Sequence, residues 1–155
     1  MLIRRIITLL LTILISGNLL YAQDNVRLSG EWKITAVEMK LFSQKDDNLL
    51  EAKAFTTDSA IRTVNARVPV KAQFEGMNYM MQFKGSMESG TYSTKDSIII
   101  LKSASQPAFM PGIPYGYFFR NDTSMEIVMP SSFYRDNTRN LAVRVECSCS
   151  YIKKK

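Results

Sequence analysis

Two cysteines, Cys147 and Cys149, stand two residues apart near the C-terminal end of a 155-residue chain that holds no histidine. On a β-strand, residues i and i+2 share a face, so both thiols point the same way. Their Cα atoms are then about 6.5 Å apart with nearly parallel Cβ bonds, which disfavours a disulfide between them. Three chemistries stay open for the pair: two buried thiols, a disulfide formed after local distortion in an oxidising compartment, or a soft-metal or redox site. Two thiolates without histidine or a further cysteine make a poor zinc site, so no metal is expected there. The missing histidine also removes Ser-His-Asp and Cys-His catalysis and the histidine-based zinc hydrolases. Acidic pairs such as Asp46-Asp47 lie in a polar stretch, and the chain has no glycine-rich phosphate loop. No nucleophile stands beside an activating base. The expectation is a non-enzyme with no catalytic residues and no cofactor.

The elements that must position these residues are strands. Apolar and polar residues alternate with period two in several segments. Trp32, Ile34 and Ala36 alternate with Lys33 and Thr35; Val70, Ala72 and Phe74 with Lys71, Gln73 and Glu75; Tyr79, Met81 and Phe83 with Asn78, Gln82 and Lys84. Met125, Ile127 and Met129 share one phase, as do Val143, Val145, Cys147 and Cys149. Eight strands are predicted, at about 30–41, 67–75, 77–84, 87–94, 96–102, 115–121, 123–130 and 140–152. The segment 42–66 is less periodic. Asp58 could cap a short helix carrying Ile61 and Val64, and 49–56 could form a further strand. Glu75-Gly76-Met77-Asn78, Lys95-Asp96 and Asn121-Asp122 read as tight turns. Successive connections alternate ends in an up-and-down sheet. The longer ones (42–66, 103–114 and 131–139) therefore gather at one end, with the short 85–86, and the tight turns close the other. The expected fold is all-β, an eight-stranded up-and-down antiparallel barrel whose even strand count lets first and last strands pair and leave no edge.

Met1 to Arg5 is basic, Ile6 to Ile15 is apolar but for two threonines, and Ser16 to Ala22 turns small and polar. This is the layout of a signal peptide cleaved after Ala22. The apolar run is short for a membrane span of about 30 Å. The first cysteine is Cys147, so no N-terminal lipid anchor is expected. The division is 1–22 signal peptide and 23–155 one β-barrel domain, placed in the periplasm or secreted. The signal carries two of the 20 basic residues and no acidic one, which leaves 18 against 14 and a balance of +4. Three of those cations are the terminal run Lys153, Lys154 and Lys155. No basic face interleaved with aromatics is seen, so nucleic acid is not an expected partner.

Leu28-Ser29-Gly30-Glu31-Trp32 opens the first strand just after the signal and resembles the Gly-x-Trp signature of lipocalins. Phe74-Glu75-Gly76 before the Tyr79 strand, and Gly90-Thr91-Tyr92 followed by Asp96 and Ile98-Ile99-Ile100, add to a similarity with the lipocalin-like domains of exported bacterial proteins. The resemblance spans the mature chain. It implies a ligand cup with Trp32 packed across the closed end and an arginine stacked on it. No second Thr-Asp-Tyr signature occurs, and Arg144 is phased outward. The inward residues of the last strand near Trp32 are Cys149 and Tyr151, so Trp32 and Tyr151 are assigned to the barrel base. Tyr79, Met81, Phe83, Met125, Ile127 and Met129 are the expected ligand-facing wall, since methionine adapts to varied apolar shapes. Phe109 and Met110, on a loop stiffened by Pro107, Pro111 and Pro114, and Phe133 and Tyr134 on the 131–139 loop are expected at the mouth. The leading expectation is a module that binds a small apolar or amphipathic ligand. The alternative is an envelope interaction or assembly protein whose barrel is filled and whose mouth loops contact a protein partner. An apolar cavity open at the mouth favours the first, and a packed interior the second.

Overall fold

The computed structural model describes residues 25–64 and 67–154. The expected signal peptide lies outside the described residues. Ten strands and two short helical segments follow one another: α1 (25–28), β1 (Gly30–Ser43), β2 (Leu49–Phe55), α2 (Asp58–Ile61), β3 (Lys71–Glu75), β4 (Asn78–Phe83), β5 (Ser86–Lys95), β6 (Ile98–Ser103), β7 (Ile113–Asn121), β8 (Ser124–Val128), β9 (Ser132–Asp136) and β10 (Leu141–Lys153). Eight of them close an antiparallel barrel in the order β1-β3-β4-β5-β6-β7-β8-β10, with β10 returning to β1. These are the eight strands read from the alternation. The tight turns after β3, β5 and β7 close one end, where Gly76, Asp96 and Ser97 adopt positive φ. The longer connections lie at the other.

The remaining two strands change the shape. β1 has 14 residues and β10 has 13, against five and six in β3 and β4. The excess rises past the barrel rim, and its outer backbone groups need partners. β2 pairs with β1 over Val37–Phe42, and β9 pairs with β10 over Leu141–Val145. Together β2-β1-β10-β9 make a four-stranded flap standing on the mouth. The residues 132–136, expected as loop, are therefore strand, and the flap has two free edges that a plain barrel would not have.

A β-bulge joins flap and barrel. Ile34 faces Tyr151 while Ala36 faces Ser150, so Thr35 is the extra residue. The inward phase of β1 shifts there from Trp32 and Ile34 to Val37, Met39, Leu41 and Ser43. The alternation read through Ala36 thus stops at Ile34. Two smaller differences have local causes. The strand expected at 67–75 begins at Lys71, because Pro69 has no N–H to donate to a ladder. In α2 the cap is Thr57, whose Oγ1 accepts from Ala60 N at 3.2 Å, and Asp58 is the first helical residue. Ile61 is buried and Val64 packs against the core, as their spacing predicts.

Trp32 is fully buried at the closed end. Its Nε1 donates to the Leu28 carbonyl at 2.7 Å, which ties α1 across the base. Phe119 packs 6.2 Å away between ring centroids. The Arg27 guanidinium lies 4.1 Å over Phe119, and Lys153 Nζ lies 5.3 Å over the indole while donating to the Arg27 carbonyl at 3.0 Å. The cation on Trp32 is thus a lysine from the last strand. Gly30 makes room for it. Its φ is +120°, and a Cβ there would sit 2.8 Å from Lys153 Cε. Tyr151 lies one layer higher, opposite Ile34, and its hydroxyl donates to the Pro69 carbonyl at 2.7 Å.

Replacing Trp32 with alanine empties a filled base, and such large-to-small core changes cost about 3–5 kcal/mol. Urea unfolding of Trp32→Ala should show a loss of that size, and a loss below about 1 kcal/mol would mean that the base does not depend on the indole.

Candidate ligand-binding site

The alternation of β4 and β8 turns Tyr79, Met81, Phe83, Met125 and Ile127 inward, and all five are buried. They pack with Phe74, Ile99, Leu101, Tyr117 and Cys149 into one continuous cluster. The barrel is filled at this level by side chains. A polar strand of contacts runs beside them. Tyr79 donates its hydroxyl to Glu88 Oε1 at 2.7 Å, and Arg67 donates to Glu88 Oε2 at 2.5 Å. Burial, then the hydrogen bond to the Glu88 carboxylate, pushes the Tyr79 hydroxyl pKa up, so it stays protonated.

Met129, the sixth residue of the expected wall, stands apart. It follows β8 at the rim and is half-buried. It lines a cavity of about 660 Å³ between barrel mouth and flap, together with Met39, Arg67, Pro130, Ser132, Tyr134, Val145 and Cys147. A shallower hollow of about 140 Å³ continues up the flap along Leu41, Glu51 and Lys53. On the flank of the barrel, a groove of about 440 Å³ has an apolar floor of Ile34, Ile61, Val70 and Phe83. Its rim carries Lys33, Arg62, Lys71, Lys84 and Asp58. Tyr79, Met81, Met125 and Ile127 line none of these three cavities.

The mouth residues divide. Tyr134 lies on β9 opposite Val143 and faces the cavity, whereas its neighbour Phe133, opposite Arg144, is 62% exposed on the outer side. Phe109 is 86% exposed at the tip of the β6–β7 connection, where Lys102 Nζ holds the Ala108 carbonyl at 2.7 Å. Phe109 and Met110 do not line the mouth cavity.

Both cysteines are free thiols. Cys149 is fully buried, while Cys147 is 7% exposed and lies on the cavity wall. The hydrogen bond from Cys149 holds the Cys147 thiol below the ordinary range. The same bond, with burial, pushes Cys149 up. Among the described residues, no group of three or more His, Cys, Asp or Glu side chains could hold a metal ion.

Of the six residues expected to face a ligand, Tyr79, Met81, Phe83, Met125 and Ile127 lie in the buried core of the barrel, and Met129 lines the mouth cavity. Met39, Val145 and Arg67 line the cavity, and no sequence signal marks Met39 or Arg67. Met39 comes inward only because of the bulge at Thr35, and Val145 was legible as an inward residue but not as one above the filled barrel. No family model matches the chain, and no curated protein or solved structure is significantly similar to it.

Iodoacetamide should alkylate Cys147 in the folded protein and spare Cys149 until unfolding. The rate should reach half its maximum at a pH below that of a free thiol, since the thiolate reacts and Cys149 favours it. Cys149→Ala should raise that midpoint. Equal labelling of both thiols, read by peptide mass spectrometry, would contradict this geometry.

Proposed function

We propose that the protein is an exported, non-catalytic, lipocalin-like module that holds a small apolar or amphipathic molecule in its mouth cavity. The observation that carries this reading is the cavity itself. Its volume, about 660 Å³, falls within the range of about 300–1,000 Å³ common for small-molecule sites. Met39, Met129, Val145 and Tyr134 give it an apolar wall. The two methionines have several rotatable bonds each and can fit varied shapes. Arg67 at the edge, paired with Glu88, offers one polar anchor for a head group. The ligand sits above the filled barrel on this reading. Export rests on the basic, apolar and small-residue order of 1–22, and the family on Gly30-Glu31-Trp32 with the closed barrel behind it. No nucleic acid, cofactor or membrane anchor enters the proposal.

An environment-sensitive apolar fluorophore should bind the folded protein with a stoichiometry of one. Val145→Glu puts a carboxylate in the wall and should weaken binding at least about tenfold, equivalent to about 1.4 kcal/mol. Tyr134→Glu, at a half-exposed position that folding tolerates, should act in the same direction. Absence of saturable binding, or full binding by both variants, would end this reading.

A second reading, contact with a protein partner through the mouth, is favoured by the exposure of Phe109 and Phe133, with Met110 beside the former. Phe109→Ser should then abolish co-purification of that partner while leaving the fluorophore affinity unchanged.

A further inference from the structure

Two adjacent strands and the residue that follows a third bring three sulfur-bearing residues into one row. Met39 on β1 lies directly opposite Cys147 on β10. On the other side of β10, the Met129 N–H donates to the Cys147 carbonyl at 2.9 Å, one step beyond the Val128–Ser148 pair. Met129 is therefore opposite Cys147 as well. Directly opposed residues on one face have Cβ atoms about 4.5–5.5 Å apart. All three residues line the same cavity, and the fully buried Cys149 follows two residues along β10 on the same face as Cys147. We propose that Met39, Cys147 and Met129, with Cys149 in reserve, form a binding site for a soft monovalent cation, Cu(I) or its analogue Ag(I).

Donor type and charge both select this ion. Thiolate and thioether sulfur prefer soft cations, and thioether is a weak ligand for zinc or harder ions. When Cu(I) binds Cys147, a Cu–S bond replaces the S–H bond and one proton leaves. The site has the same net charge before and after, because the thioethers are neutral. A divalent cation on the same three donors would leave one uncompensated positive charge in an apolar wall, which is costly. The thioethers hang on flexible side chains and can swing their sulfur onto a cation held by the central thiolate. Arg67 shares the cavity, but its guanidinium is engaged by Glu88 and lies over the Phe83 ring at 4.7 Å. The cavity gives the ion a path from solvent. This proposal goes beyond the binding of an apolar molecule and does not depend on it, since it uses a row on the wall and not the volume.

The test is competition for Cu(I) supplied as its bicinchoninate complex, under nitrogen and with the thiols reduced. The full mature chain should withdraw one equivalent of Cu(I), and Zn(II) should not displace it. Cys147→Ser should abolish the withdrawal. Met39→Leu and Met129→Leu keep the side-chain volume. Each should weaken binding at least about tenfold, the lower end of what even an outer partner of a metal ligand costs. Met77→Leu, at an exposed turn, should bind as the parent does. Circular dichroism on each variant separates a lost site from a lost fold. Failure of the parent chain to compete would overturn the proposal, even if the fluorophore binds. So would unchanged affinity in both folded methionine variants, which would leave only adventitious binding by a thiol.

Discussion

Pairing between β1 and β10 joins the two ends of the domain and continues well past what closure needs. Eleven residue pairs run from Trp32–Lys153 to Ser43–Val143. The lower part completes the barrel, and the upper part leaves it. Once these two strands outlast their neighbours, each exposes a row of backbone donors and acceptors on its outer side above the rim. Water can satisfy such groups, but a further strand satisfies them and also covers the apolar face behind. β2 and β9 are that answer. The mouth cavity is what remains between a barrel that ends and a ribbon that does not.

Free edges return with the flap, and their composition limits what they can pair with. β2 carries Glu51 and Lys53, and β9 carries Arg135 and ends at Asp136. Charged side chains on an exposed edge discourage addition of a further chain. Some of the same charges clip the flap together. Arg139 bonds Glu51 on β2 and Asp136 at the end of β9, each at 2.7 Å, and Arg144 on β10 reaches Asp47 in the β1–β2 turn at 2.6 Å. These pairs are partly exposed and individually modest. Their placement still matters, because they tie both outer strands to the ribbon that carries them.

The barrel was legible in the sequence because period-two alternation is a direct imprint of a half-buried surface. Tyr79, Met81 and Phe83 against Gln82 and Lys84, or Val143 to Cys149 against Arg144 and Glu146, leave no other phasing. The run Ile98-Ile99-Ile100-Leu101 gave no phase, since its outer residues are apolar too; Ile98 and Ile100 stay partly exposed. β9 was not legible. Ser-Phe-Tyr-Arg-Asp is exposed on both faces for most of its length, so burial imposes no alternation on it. The bulge at Thr35 was equally silent, because Ile34, Ala36 and Val37 are apolar under either phase. Its consequence was large: it decides that Met39 faces the cavity. Whether a barrel is hollow depends on how many large side chains meet at each level, and no single strand's pattern contains that sum.

Filling of the lower barrel and openness of the mouth have one cause. Near the base, eight strands converge on Trp32, Phe74, Tyr79, Phe119 and Tyr151, and large aromatic side chains from opposite walls meet at the centre. Above the start of β3, that convergence stops. The segment 67–70 departs from the ladder at Pro69, β4 ends at Phe83, and β8 ends at Val128. The wall facing the flap is then Arg67 and Met129-Pro130, not a complete set of strands. Fewer side chains reach the middle: the flap contributes Met39, Val145 and Cys147, with Ser132 and Tyr134 from its outer strand. A site at this level is therefore bounded by the packed side chains of the barrel below and by a separately supported sheet above. Its wall chemistry is set by the residues that the Thr35 bulge turns inward, and by their partners on β10.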